Sequence, residues 1–275
     1  MLPILFQRGS VTIYTHDAFT VLGLLAGLVV YYRALGRERM LEPRIVVISL
    51  AALVGGAIGA RLITAWEHLP YYAALGEVPF TYVISHSGKS ILGGLVGGYL
   101  ATVLAKRALA YTASTGDYYA AAVPLGLAIG RIGCFLSELP LGTPTSLPWA
   151  MTVSPEAASA FARCPGCDGP MHPSMLYEIG FNLVALAAIV RYRGLIPVRG
   201  DTLKAYLLAY AVFRFGVEFV RGNELQFAGL TGPQLVLIPL TALLVAHFVR
   251  QFRRGVYHVP EPPPVGAVAV ASSEA

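Results

Sequence analysis

The sequence predicts an all-α integral membrane protein: seven transmembrane helices, with a proline-rich external loop between helices four and five. Three observations carry this expectation. Apolar residues make up 56% of the 275 and charged residues only 13%, against about 25% charged in ordinary soluble domains. Seven stretches stay apolar over ~17 residues or more, the length needed to cross a hydrocarbon core. The basic residues between them alternate from loop to loop, as a fixed orientation in a membrane requires. A soluble basic protein is excluded by the same numbers. The net charge of +5 does not indicate a nucleic-acid partner, because the charges follow the loops rather than one face.

The spans are expected at about 18–35, 45–66, 89–105, 118–136, 174–191, 204–221 and 233–249. Ahead of the first, MLPILFQRGS lacks the charged start, apolar run and small-residue cleavage site of a signal peptide. The first span is therefore expected to stay as a mature helix. The third, SGKSILGGLVGGYLATVL, is the richest in glycine. Arg33, Arg37, Arg39 and Arg44 follow span one, and Lys106 and Arg107 follow span three. Arg191, Arg193, Arg199 and Lys204 surround the loop after span five, and Arg250, Arg253 and Arg254 follow span seven. The intervening loops hold Arg8, Lys89, Arg163 and Arg221. Positive loops stay in the cytoplasm, so the N-terminus is expected outside and the C-terminus inside. That result demands an odd number of spans, in agreement with seven.

Residues 138–172 form the external loop, with Pro140, Pro144, Pro148, Pro155, Pro165 and Pro170. A connection of that length is usually functional or disordered. Residues 1–255 are expected to be a single membrane domain. Residues 256–275, ending in EPPPVGAVAVASSEA, read as a disordered cytoplasmic tail.

Three arginines fall inside apolar segments: Arg61, Arg131 and Arg214. A cation at the centre of a span costs ~3 kcal/mol or more, so such a residue normally faces a protein-lined polar site. Each lies five to seven residues before the outer end of an outward-running span. At 1.5 Å per residue this places them ~8–11 Å below the outer interface. His172, Tyr177 and Glu178, where span five begins, share that level. Tyr210, Arg214 and Glu218 are spaced i, i+4, i+8 on one face of span six, with Arg221 three beyond. Arg214 and Glu218 can neutralise each other, but Arg131 has no carboxylate in its own helix before Glu138. Two or three cations against one or two carboxylates leave room for an anion. Guanidinium suits phosphate through its two parallel donors, and at head-group height the simplest phosphate is a lipid's. The glycines around Arg61 and Arg131 and in span three suit close helix packing or room for an acyl chain.

At these residues the chain resembles the prolipoprotein diacylglyceryl transferase family. GRIGCFLSELPLG (Gly130–Gly142) is similar to a Gly-Arg-x-Gly-Asn-Phe segment with a later glycine. HPSMLYE (His172–Glu178) is similar to a His-Pro-Ser-x-Leu-Tyr-Glu helix start. YAVFRFGVEFVR (Tyr210–Arg221) resembles a Tyr-x3-Arg-x3-Glu-Phe-x-Arg segment, and Gln234 fits a final-helix glutamine. The resemblance covers roughly residues 10–250. It implies transfer of diacylglyceryl from phosphatidylglycerol to the lipobox cysteine thiol of a prolipoprotein signal peptide, releasing glycerol phosphate, in the bacterial inner membrane. By the same resemblance, Arg214, Tyr210, Glu218 and His172 are expected to be catalytic. Arg131, Arg61, Cys134, Glu138, Gly142, Tyr177 and Glu178 are expected to bind phosphatidylglycerol. No cofactor or metal is implied. The chain departs from the family pattern in places. Leu92 stands where many members have a histidine, and Cys134 replaces the asparagine. Glu138 comes one position early, with Leu139 in register, and His16 and Asp17 stand near the expected span-one tyrosine.

A thiol reaction needs a proton acceptor, and His16, His86 and His172 all fall on the external side. Cys164 and Cys167, in CPGC, suit a disulfide in an oxidising compartment; they are only half of a zinc site. Two other classes stay open on the residues alone. One is a transporter, although transporter charges sit nearer the midplane. The other is a non-catalytic member that binds lipid or a partner.

Overall fold

In lipid every backbone polar group must be satisfied within the chain, which makes the helix the form open to these apolar runs. A computed structural model describes residues 2–9, 11–37, 42–67, 76, 79–86, 88, 90–138, 142–155, 169–192, 194–223 and 225–257. It contains α1 (Thr15–Arg37), α2 (Pro43–Glu67), α3 (Phe80–His86), α4 (Ile91–Ala108), α5 (Gly116–Leu136), α6 (Ser174–Arg191), α7 (Asp201–Glu218) and α8 (Gly232–Arg253). Two antiparallel hairpins lie outside the helices: β1 (Ile4–Arg8) with β2 (Val11–Tyr14), and β3 (Leu225–Phe227) with β4 (Leu230–Thr231). Among the described residues, five helices, α1, α2, α5, α6 and α8, are long and apolar enough to cross a membrane. The protein is thus an all-α, multi-pass architecture. The hairpins and α3 were not legible as spans, being short; the second hairpin turns at Ala228 and Gly229, both at positive φ, a turn geometry that suits tight hairpins.

Helices pair through small residues. α2 lies against α4, α1 against α5, α5 against α6, and α7 against α8 and α5. A Cβ on Gly59 would collide with the Gly93 carbonyl, and one on Gly93 with the Gly59 carbonyl. The two backbones therefore touch, the close approach that small residues permit in lipid. Packing accounts for these glycines, whereas a Cβ at Gly130 would meet open space. Ser90 caps α4 by accepting from Gly93 N–H, and Thr231 with Gln234 forms a capping box on α8. Gln234, which matched the family glutamine, thus satisfies the start of its own helix.

The far ends of α5, α7 and α8 are tied by carboxylates. Asp117 accepts from Gly200 N–H (2.8 Å) and Thr202 N–H (3.2 Å), capping α7 from a neighbouring helix. Asp201, fully buried, holds Lys204 (2.7 Å), His247 (2.9 Å) and the Tyr257 hydroxyl (2.5 Å). Burial, then the Asp201 carboxylate, push the Tyr257 phenol up to about 12.

The segment after α5 is ordered by backbone pairing where it is described. Met171 exchanges hydrogen bonds with Met151 (2.8 and 3.0 Å), and Thr143 N–H donates to Val220 C=O (2.8 Å). Cys164 and Cys167, and the tail from residue 258, lie outside the described residues.

Candidate active site

The site stands on α5, α6 and α7. Arg131 comes from the end of α5, Glu178 from the start of α6, and Tyr210, Arg214 and Glu218 from successive turns of α7. All five side chains are buried. Arg131 donates from Nε to Glu178 Oε2 (2.7 Å) and from Nη2 to Oε1 (2.9 Å). This is the two-bond geometry a guanidinium favours. The Tyr210 hydroxyl donates to Glu178 Oε2 at 3.4 Å. Arg221, just past α7, donates from Nη1 to Glu178 Oε1 at 3.0 Å, and Arg214 Nε lies 3.9 Å from the same oxygen. Behind them, Tyr206 donates to Asn182 Oδ1 (2.8 Å), whose amide donates to the Glu178 backbone carbonyl (2.8 Å).

Glu218 forms the second centre. Arg214 Nη1 and Asn223 Nδ2 donate to it, as does Thr231 Oγ1 at 3.1 Å. Arg221 Nε lies 3.9 Å from Glu218 Oε2. The cluster holds three guanidiniums, Arg131, Arg214 and Arg221, against two carboxylates, Glu178 and Glu218, and carries one net positive charge. Within it, Arg221 Nε is a buried donor with no hydrogen-bond acceptor among the described residues. Such a donor is the kind of group that an anionic oxygen satisfies.

The structure distributes the expected residues unevenly. It joins Arg131, Tyr210, Arg214, Glu218 and Glu178 into one network. The counterion that Arg131 lacks on its own helix is Glu178 from α6, a pairing that only the packing of α5 on α6 supplies. Arg221, which the sequence noted without a role, reaches both carboxylates, as Arg214 does; its i+3 spacing from Glu218 was the available signal. Cys134 is buried, with Arg131 Nη1 3.7 Å from its sulfur, and packs on Met171 and Met175.

His172 does not cap α6, whose N-cap, Pro173, makes no side-chain cap. Its Nδ1 instead lies 3.1 Å from the Tyr177 hydroxyl, which also accepts from Trp149 Nε1–H at 2.9 Å. Gly142 sits where a Cβ would strike the carbonyls of Val220 and His172, so it lets three chain segments meet beneath the site. Glu138 holds φ 51°, a left-handed conformation that suits a helix stop but costs a non-glycine residue roughly 1–2 kcal/mol. Its carboxylate accepts from Ser154 N–H (2.8 Å) and Oγ–H (2.6 Å). Burial alone would push that carboxyl up; the hydrogen bonds it accepts, those from Ser154 among them, outweigh burial and hold it at about 2. Arg61 is half-buried on α2, whose packing partner is α4. Leu92 is a core residue packed with Ala211 and Leu237. The side chain of His86 lies outside what the structure describes.

The profile of the family described as prolipoprotein diacylglyceryl transferase matches residues 3–250. Among similar chains, the phosphatidylglycerol–prolipoprotein diacylglyceryl transferase of Finegoldia magna is 30% identical over 254 residues, covering 90% of this chain and 94% of the relative. The enzyme of that name from Bordetella bronchiseptica is 32% identical over 258 residues, 86% of this chain and 90% of the relative. That of Chromohalobacter salexigens is 35% identical over 209 residues, 72% and 71% of the two chains. With the profile spanning nearly the whole chain and these relatives covered over most of their length, the protein belongs to the prolipoprotein diacylglyceryl transferase family.

Proposed function

We propose that the protein transfers the diacylglyceryl group of phosphatidylglycerol to the lipobox cysteine thiol of a prolipoprotein, releasing glycerol phosphate. The observation that carries this reading is the buried cluster of three arginines and two glutamates with one unsatisfied guanidinium donor, Arg221 Nε. In the reaction negative charge grows on the departing phosphate. Fixed donors in a water-poor site stabilise such charge without reorganising. Arg131, Arg214 and Arg221 supply those donors, while Glu178 and Glu218 hold them in place and limit their mutual repulsion. Tyr210, donating to Glu178, fixes the carboxylate's orientation. The open space beside Gly130 gives an acyl chain room next to Arg131. Family membership supports the substrate pair, since the relatives carry both in their names.

Seven spans accord with this reading: α1, α2, α4, α5, α6, α7 and α8. α4 and α7 have 18 residues each, about 27 Å at 1.5 Å per residue. α4 ends in Lys106 and Arg107, and α7 carries the charged side chains of the site. The N-terminus lies outside, the C-terminus in the cytoplasm, and the membrane is the bacterial inner one. Residues 1–255 act as a single domain, the segment 138–172 lies on the external side, and the tail is cytoplasmic.

The test is release of glycerol phosphate by the purified protein in detergent with phosphatidylglycerol and a lipobox peptide. Arg131→Lys is expected to lose at least ~100-fold in rate, because an ammonium makes neither the two-bond contact with Glu178 nor one with phosphate. No release by the wild type, with an active relative working alongside, would favour a lipid-binding protein without catalysis.

A further inference from the structure

One turn along α6 from Glu178, a second polar contact joins α6 to α7. Tyr206 donates to Asn182 Oδ1 at 2.8 Å, and Asn182 Nδ2 donates to the Glu178 backbone carbonyl at 2.8 Å. The carbonyl can only accept, so the NH2 group of the amide faces it and the amide oxygen is left for Tyr206. The tyrosine hydroxyl therefore gives its one proton to Asn182. Both residues are buried, and their surroundings are apolar: Phe181, Ala185, Ile189, Leu203 and Leu207 pack around Tyr206 and Tyr210. A leucine and a phenylalanine would fill that space without burying an amide and a hydroxyl.

The contact carries a register. Glu178 and Asn182 are one turn apart on α6, as Tyr206 and Tyr210 are on α7. Tyr210 meets Glu178 Oε2 at 3.4 Å and Tyr206 meets Asn182, so two rungs cross between antiparallel helices, about 6 Å apart at 1.5 Å per residue. The two tyrosine rings stack with centroids 6.1 Å apart. Of the two rungs, the Tyr206 one is the shorter. A slip of one residue would turn α7 by about 100° and break both. Where α7 sits on α6 decides where Arg214, and Arg221 just beyond the helix, stand around Glu178. Arg221 Nη1 lies 3.0 Å and Arg214 Nε 3.9 Å from Glu178 Oε1, and Arg131 of α5 holds the same carboxylate.

We propose that Asn182 and Tyr206 are positioning residues of the transfer reaction, which fix Glu178 and the register of α7 and so hold Arg214 and Arg221 in place opposite Arg131. This rests on the transferase reading above. Both act through Glu178: Asn182 directly, Tyr206 by way of Asn182. Charge growing on the leaving phosphate is stabilised by donors already in place, and a misplacement of about 1 Å can cost about 100-fold in rate. The Tyr206 hydroxyl contributes through that geometry rather than through the stability it adds to the bundle.

The test compares glycerol phosphate release and thermal unfolding for wild type, Tyr206→Phe and the double variant Asn182→Leu with Tyr206→Phe, full-length in detergent with phosphatidylglycerol and a lipobox peptide. Rates are taken well below every melting temperature. Tyr206→Phe should lose at least about tenfold in kcat and keep KM for phosphatidylglycerol within about threefold, the split expected when an interaction made in the transition state is lost. It should also melt lower, because the Asn182 oxygen loses its donor. The double variant replaces both partners by apolar groups of similar shape, which restores stability. Its melting temperature should return toward that of wild type while its kcat stays at least about tenfold down. That pairing separates positioning from mere support, which would let rate and stability recover together. A kcat loss below about tenfold in Tyr206→Phe, an effect on KM alone, or a double variant whose rate returns with its stability would overturn the proposal. Should the double variant melt no higher than Tyr206→Phe, the kcat and KM of Tyr206→Phe decide, since that change removes a single oxygen. A wild type that releases nothing would overturn the transferase reading beneath it.

Discussion

Glu178→Gln tests whether the arginine cluster is held by its shared counterion. In the native protein Glu178 accepts three guanidinium bonds of 2.7, 2.9 and 3.0 Å and a phenolic one of 3.4 Å. A glutamine keeps one oxygen and places an NH2 group against a guanidinium donor. At least one of the three short bonds is lost, a donor faces a donor, and the cluster goes from one net positive charge to two. Removing one partner of a buried ion pair costs roughly 3–5 kcal/mol, mostly from the charge left uncompensated. For a chain of this size that is on the order of 10 °C in apparent melting temperature. The assay is thermal unfolding in detergent, with and without phosphatidylglycerol. The variant should melt lower than wild type and gain more from the anionic lipid, which supplies the missing negative charge. A variant within 2 °C of wild type, by that same order-of-magnitude scale, with unchanged lipid stabilisation would refute the claim that Glu178 holds the three arginines.

Three further outcomes are expected. The Glu138 carboxyl is held down from 4.5 to about 2, so its contribution is full above pH 4.5 and is lost as pH falls toward 2; Glu138→Gln should remove that part of the acid dependence of melting. Gly142→Ala should cost ~1–3 kcal/mol, the usual range for overpacking, since the new Cβ meets two backbone carbonyls; melting indistinguishable from wild type would mean that this junction is not tight. Reporter fusions at residues 40, 110, 155 and 196 should read cytoplasm, cytoplasm, outside and cytoplasm; a cytoplasmic signal at 155 would overturn the orientation.

Long apolar runs and the spacing of charges are local properties, and the sequence by itself determined what depends on them. The stretch expected at 174–191 is α6 to the residue, because His-Pro-Ser starts it abruptly and no glycine blurs its end. The face bearing Tyr210, Arg214 and Glu218 followed from helical periodicity alone. α7 nonetheless begins and ends three residues earlier than the expected 204–221. Asp117, a residue of another helix, caps its start, and no local pattern reports that. The partners of buried charges are a property of packing. Glu178 meets Arg131 across 47 positions and Arg221 across 43, and a side chain's spacing within its own helix says nothing about which helix will face it. Arg61 and Arg131 looked equivalent by depth, but α2 packs on α4 while α5 packs on α1, α6 and α7. The sequence could count cations and carboxylates. Only the tertiary structure decided which of them share a space, because a buried charge takes its energy from groups that contact it in three dimensions rather than from its neighbours along the chain.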